Sequence, residues 1–494
     1  MNHIEVSRIT NFENLKAKSL SAGNQNNIKI FNNNYKTLRE IVGDNIVGGK
    51  EVGSKAYINK SPYYFIRTKA CQPENYLLDL RDGGVKPINP NYFTYQDIKE
   101  GDILVLKDSN VGEVIYVDKD LDSFMMSGGI RKLRINEDSL YIFAFLKSIF
   151  FKDQLEILIG KGATIKHAQD KYLDCIVVFP SKNEQEVKEY VKKLVEAVIR
   201  KEKEIKTKDS EIIKTFENEL VSNSNNEINN KSTFKELINS QRIDAGYLSG
   251  DFKNQVNIIK NYKNGSKTIY ELGFTIERGQ NLQISAIGNS VYSGEYKPNY
   301  YKLYLPTYIT EFGTMSNIIY LGNPNELKCL EYGDLVIGGE GFDKGRSIVI
   351  TEEVSNTITN IHGIILKNKK KNLYDSIYLK CFLHYIRSKG MIDNFGAGGN
   401  GGSLGIKYWN NIHIPIFGDE VKSKLTSLYY NNISFDDVSS IYEFEEKDKF
   451  ITEKSGILDL DKQIKILKKR INEVIYQIYH NDDIKLDFKF LTDN

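Results

Sequence analysis

The segment Phe395 to Gly405, FGAGGNGGSLG, holds Gly396, Gly398 and Gly401 in the spacing G-x-G-x-x-G. That pattern cradles a dinucleotide pyrophosphate when a strand precedes it and a helix follows, because the phosphates sit on the helix N-terminus. Here the order is reversed. SIYLKCFLHYIRSKGMIDNF before the glycines reads as helix, and IKYWNNIHIPIF after them alternates like a strand. The glycines are therefore read as a helix-to-strand connection. Other chemistry is equally sparse. An amine methyltransferase needs Pro-Pro-aromatic after its acidic or Asn residue, and SPYY at Ser61 has one proline and reads better as a strand start. A magnesium nuclease needs an Asp some way before an acid-x-Lys; Glu186-Val187-Lys188 lies in a heptad-patterned helix, and Glu326-Leu327-Lys328 has no Asp in the preceding twenty residues. The six histidines, His3, His167, His362, His384, His413 and His480, are scattered. No catalytic residue, metal site or cofactor is assigned.

The elements that could position a site come in two copies. EGDILVL from Glu100 answers YGDLVIG from Tyr332, SGGIRKLRI answers IHGIILKNK, and SLYIFAFLKS from Ser139 answers SIYLKCFLHY from Ser376, sharing Ser, Tyr, Phe and Leu in register. CIVVFP closes the first copy at Pro180 and NIHIPIF the second at Pro415, while SRIT at Ser7 and QRID at Gln241 open them. These matches keep one order and a nearly constant separation, which marks an internal repeat. Each copy reads as short strands such as GDILVL and EVIYV, then one helix (about Ser139 to Leu158, and Asp375 to Asn394), a glycine-bearing loop and a closing strand.

After each copy the pattern changes. From Glu184 to Leu220, Val187, Val191, Leu194, Val198, Ile205 and Ile212 follow heptad spacing, with Lys201 and Lys208 at the skipped seam positions. Ile457, Leu460, Ile464, Leu467, Ile471, Val474 and Ile478 repeat it near the end. So narrow a stripe suits a helix–helix seam. The expected fold is α+β: two tandem diverged units, separated and followed by long coiled-coil helices packed antiparallel, with the globular units at opposite ends. The boundaries read 1–181, 182–222, 223–418 and 419–494.

Composition bounds the rest. The 494 residues call for more than one domain, and 40% hydrophobic content is enough for sizeable cores. Lys and Arg total 67 against 65 acidic residues, so any basic surface is local. Cys71, Cys175, Cys329 and Cys381 have no zinc or disulfide spacing. No apolar run reaches the ~18 residues of a membrane span, and the N-terminus lacks a signal core. The expectation is a cytoplasmic protein without a membrane partner.

In their order and duplication, GDILVLKDSNVG and GDLVIGGEGFDKG, GATIKH…YLDCIVVFP and GGSLGIKYWNNIHIPIF, and the terminal LDKQIKILKKRINEVIYQIYHNDD resemble the specificity subunits of Type I restriction–modification systems. The resemblance covers nearly the whole chain. The strand endings VVFPS and IPIFG depart from that family's usual IPLPP, and INEVIYQIY also resembles the tail of fused methyltransferase–specificity enzymes. The resemblance implies two target-recognition domains on helical spacers, reading a split asymmetric DNA site and directing an adenine-N6 methyltransferase to it. Its implied partners are double-stranded DNA, two methyltransferase subunits and a restriction subunit. A recognition subunit of a fused or other methyltransferase system, and a non-catalytic coiled-coil scaffold, are the alternatives. Base reading needs forked donors and backbone contact needs cations. The candidates are Lys107, Ser109, Asn110, Arg131, Arg134, Lys161, Lys166 and His167 in the first copy. In the second they are Lys344, Arg346, His362, Lys367, Asn400, Ser403 and Lys407.

Overall fold

A computed structural model describes residues 3–492 apart from 6–26, 81–82, 160–166, 225–232, 235–237, 239–241, 342, 354–355, 397–401 and 436. The fold is α+β, in two compact units. One comprises 1–203, 434–452 and 462–494; the other comprises 204–433 and 453–461. No helix among the described residues is long and apolar enough to cross a membrane.

In the first unit the run ILVL forms strand Ile103–Leu106, buried along its whole length. It lies inside an antiparallel four-stranded sheet in the order Ile46–Gly48, Ile130–Leu133, Ile103–Leu106, Val114–Tyr116. A second sheet runs Val85–Pro87, Tyr64–Ile66, Phe124–Met126, its last pair parallel. Ile66, Leu104, Leu106, Ile115, Met126 and Ile130 join the two sheets in one core. A two-stranded ribbon, Tyr35–Thr37 with Ile176–Val178, closes the unit. The helix expected to run unbroken to Leu158 is two helices, Ser139–Lys147 and Ile149–Ile159. They break at Ser148, which turns extended and donates its hydroxyl to Phe145 O at 2.6 Å.

The second unit repeats this plan. Its four-stranded sheet has the order Phe274–Arg278, Gly363–Asn368, Leu335–Gly338, Ser347–Val349. Its second sheet again contains a parallel pair, Tyr301–Leu303 with Thr357–Ile358, and adds an outer strand, Val291–Ser293. Its ribbon joins Ser266–Thr268 to His413–Pro415. Details recur as well. The Tyr141 hydroxyl donates to Val178 O at 2.6 Å, and the Tyr378 hydroxyl to Pro415 O at 2.8 Å. Thr37 and Glu40 form a reciprocal capping box, and Thr268 and Glu271 the same exchange. Gly101 and Gly333 turn with φ of 92° and 83°. The helix expected over Asp375 to Asn394 is Leu373–Ser388, then Met391–Phe395 after Gly390 at φ 71°. The β-type run expected after the glycines is mostly a 3₁₀ helix, Ile406–Asn411, with a strand only at His413–Pro415. Tight turns there bury Trp409, which alternation in the sequence disguises.

The heptad segments form Glu184–Asn223 and Ile457–His480, and every apolar seam residue of both is buried. Within the first unit the helices run antiparallel: Glu202 lies 2.7 Å from Lys468, and Lys182 lies 3.1 Å from Asp483. A third helix, Ile441–Lys454, runs parallel to the first, with Lys193 at 2.9 Å from Glu445 and Lys201 at 2.6 Å from Asp448. Sequence periodicity does not separate this helix from the rest of 419–494.

Candidate nucleic-acid interface

Each four-stranded sheet brings three loops together at one end. In the first unit Asp108 bridges to His167, Ala168 N donates to Lys107 O at 2.7 Å, and Lys107 N donates to Gly129 O at 2.9 Å. In the second, Glu340 bridges to Ser403, Leu404 N donates to Gly339 O at 2.8 Å, and Gly339 N donates to His362 O at 3.2 Å. The hairpin after the Gly-Asp strand, the turn before the central strand (Ile130–Leu133 in the first unit, Gly363–Asn368 in the second) and the segment after the helix therefore meet in both.

The first unit gathers Lys107, Ser109, Asn110, Arg131 and His167 at this end. Ser109, at φ 69°, and Asn110 are exposed at the hairpin tip. Lys107 Nζ lies 3.3 Å from Asp108 Oδ2, and His167 Nδ1 lies 2.6 Å from Asp108 Oδ1 with its ring mostly exposed. Arg131 Nη1 donates to Gly128 O at 3.1 Å and Ile130 O at 3.2 Å. Arg134 stands apart. It donates to both oxygens of Asp102, at 2.8 and 3.0 Å, and to Asp97 Oδ2 at 2.8 Å. Asp102 first and Asp97 second hold its pKa above the usual guanidinium range.

In the second unit the expected residues divide. His362 Nδ1 lies 2.9 Å from Glu340 Oε2 with its ring mostly exposed, Ser403 is half-buried at the bridge, and Lys407 is exposed with Nζ 4.8 Å from the Tyr408 ring centre. Lys344 and Arg346 turn into their own unit. Lys344 is buried with Nζ 2.5 Å from Asp393, while Arg346 lies 2.8 Å from Asp343 and donates to Ile309 O at 3.3 Å. Lys367 lies between Glu277 at 3.6 Å and Glu331 at 3.7 Å. Sequence reading missed Arg278, whose Nη2 donates to Leu404 O at 3.5 Å and whose Nη1 lies 3.7 Å from Glu340. Its signal is the Arg-Gly pair ending FTIERG, since Gly279 matches Gly49. Lys161, Lys166 and Asn400 lie outside the described residues, as do Gly398 and Gly401.

Both loop ends offer donors and carboxylates of different kinds on one framework, which suits recognition of a polar surface by hydrogen bonding. No family model and no curated protein matches the chain. Solved structures that resemble it include a Type I restriction–modification system S subunit from M. genitalium, at 13% identity and TM-score 0.39, covering 91% of this chain and 96% of that one. A structure describing assembly and conformational transition of the type I R-M system matches at 12% identity and TM-score 0.29, over 91% and 98%. The HsdS subunit from Thermoanaerobacter tengcongensis matches at 12% identity and TM-score 0.27, over 90% and 98%.

Proposed function

We propose that this chain is the DNA-recognition subunit of a Type I-like restriction–modification complex and is not itself an enzyme. Residues 1–181 and 223–418 each read one half of a split asymmetric site. The helical segments 182–222 and 419–494 bind two adenine-N6 methyltransferase subunits, and a restriction subunit is a further partner in the cytoplasm. The observation that carries this reading is the pair of sheets with one strand order but different loop donors: Lys107, Ser109, Asn110 and His167 against His362, Ser403 and Lys407. A common framework with unlike loops suits two unlike half-sites, since base-edge contacts specify sequence. The family resemblance in the sequence supplies the methyltransferase partner.

The test compares the host methylome with and without the gene. One bipartite adenine motif should disappear on deletion. The purified chain alone should transfer no methyl group and cut no DNA, and transfer from S-adenosylmethionine by the isolated chain would overturn the reading.

A further inference from the structure

Across each four-stranded sheet one row of residues can be matched by strand register alone. In the first unit the row is Gly48, Arg131, Val105; in the second it is Arg278, Ile364, Ile337. The next residue along confirms the match. Gly49 N donates to Ile130 O at 3.0 Å and Gly279 N to Gly363 O at 2.9 Å. A Cβ on Gly49 would stand 1.9 Å from Ser127 O, and one on Gly279 would stand 2.0 Å from Asn360 O. Each unit thus carries one arginine in this row, but on opposite members of the same cross-strand pair.

Cross-strand partners have Cβ atoms about 4.5–5.5 Å apart, within an arginine's reach, so either strand can send a guanidinium to the loop end. Glycine makes the room. Arg131 Nη1 lies 3.3 Å from where a Cβ of Gly48 would be, and Arg278 Nη1 lies 2.8 Å from that of Gly339. The two heads lean in different directions but stay at the same end of the sheet, Arg131 at the turn before its central strand and Arg278 between the hairpin and the segment after the helix. Arg131 is held by Gly128 O and Ile130 O; Arg278 is held by Leu404 O near Glu340. Neither is forked onto a carboxylate as Arg134 is, and 27% of the Arg278 side chain is exposed.

Readers of unlike half-sites need unlike base contacts. A cation kept in the same row of both, even when the other strand supplies it, serves what the half-sites share, and that is the sugar–phosphate backbone. The guanidinium fork matches paired phosphate oxygens. We propose that Arg131 and Arg278 are equivalent phosphate-positioning residues, one in each unit, fixing register without reading bases. This rests on the DNA-recognition reading above.

The experiment uses the full chain with its methyltransferase, titrated across salt with a duplex carrying the methylome motif and a duplex lacking it. R131Q and R278Q should each weaken both duplexes by the same factor, reduce the slope of log affinity against log salt by about one, and leave the methylated motif unchanged. R131K and R278K should keep the slope. G48R combined with R131I, which copies the second unit's arrangement into the first, should restore the slope lost in R131Q. Relaxed preference at one base position would overturn the proposal in favour of base reading. Wild-type binding with unchanged variants would overturn it in favour of a structural role. A wild-type complex that binds neither duplex would overturn the DNA-recognition reading and the proposal together.

Discussion

Lys201 is fully buried in the helical seam, with its ammonium 2.6 Å from Asp448 Oδ1, 2.8 Å from Thr452 Oγ1 and 5.3 Å from the Phe435 ring centre. Arg200 pairs with the other oxygen of the same carboxylate. Burial lowers the Lys201 pKa and Asp448 opposes that shift, so the charge depends on its partner. Asp448→Ala should destabilise the protein by about 3–5 kcal/mol, because it leaves a buried ammonium unpaired. Lys201→Met with Asp448→Leu should recover most of that loss, since apolar packing can replace a buried pair. Urea midpoints of the three proteins decide the matter; equal midpoints would mean that water reaches the site. Lys201 was legible as the odd residue of a heptad. Asp448 was not, because its helix buries Phe444, Asp448, Ile451 and Thr452, a face too polar for an apolar stripe to reveal.

Element-level likeness between the units was legible where buried strands repeat, as in GDILVL and GDLVIG, because burial on both faces restricts residue choice. It was hidden where backbone geometry sets the requirement. Gly49 and Gly279 admit a neighbouring carbonyl where a Cβ would stand, a condition without hydrophobic signature. Gly49→Ala or Gly279→Ala should therefore open the pairing of Ile46–Gly48 or Phe274–Arg278 with its central strand, costing about 1–3 kcal/mol or more. Faster amide exchange confined to the altered unit's sheet would show it, and unchanged protection would refute it. The ribbon of the second unit adds a pH dependence. Burial pushes His413 down to about 4, with Lys260 adding to the shift and Glu271 opposing it. An unfolded histidine titrates near ~6.5, so the unfolded chain takes up the proton first. Stability should fall as pH drops from about 6.5 toward about 4. His413→Gln should flatten that part of the curve of urea midpoint against pH.

At the scale of the whole molecule, chain order and unit membership diverge. Periodicity is local, so reading along the sequence makes 419–494 one helical segment after the second unit. Packing assigns 462–494 to the first unit instead. The reason lies in partners far apart in sequence. Phe150 stacks on Tyr479 with centroids 3.9 Å apart, Asn32 donates to Ile478 O at 2.9 Å, and the Tyr190 hydroxyl donates to Asp487 O at 2.6 Å. Gly456 and Asp459 serve the other unit, where Asn431 N donates to Asp459 Oδ2 at 2.8 Å. A chain ending at residue 461 keeps every segment of the second unit and removes the last segment of the first. It should therefore lose protection in the helix Ile149–Ile159 and in residues 184–203, hundreds of residues before the cut, while Leu335–Gly338 and Leu373–Ser388 keep theirs. Hydrogen exchange followed by mass spectrometry resolves these segments separately. Loss in the second unit with the first intact would reverse the assignment, and equal loss in both would mean that the two units unfold as one.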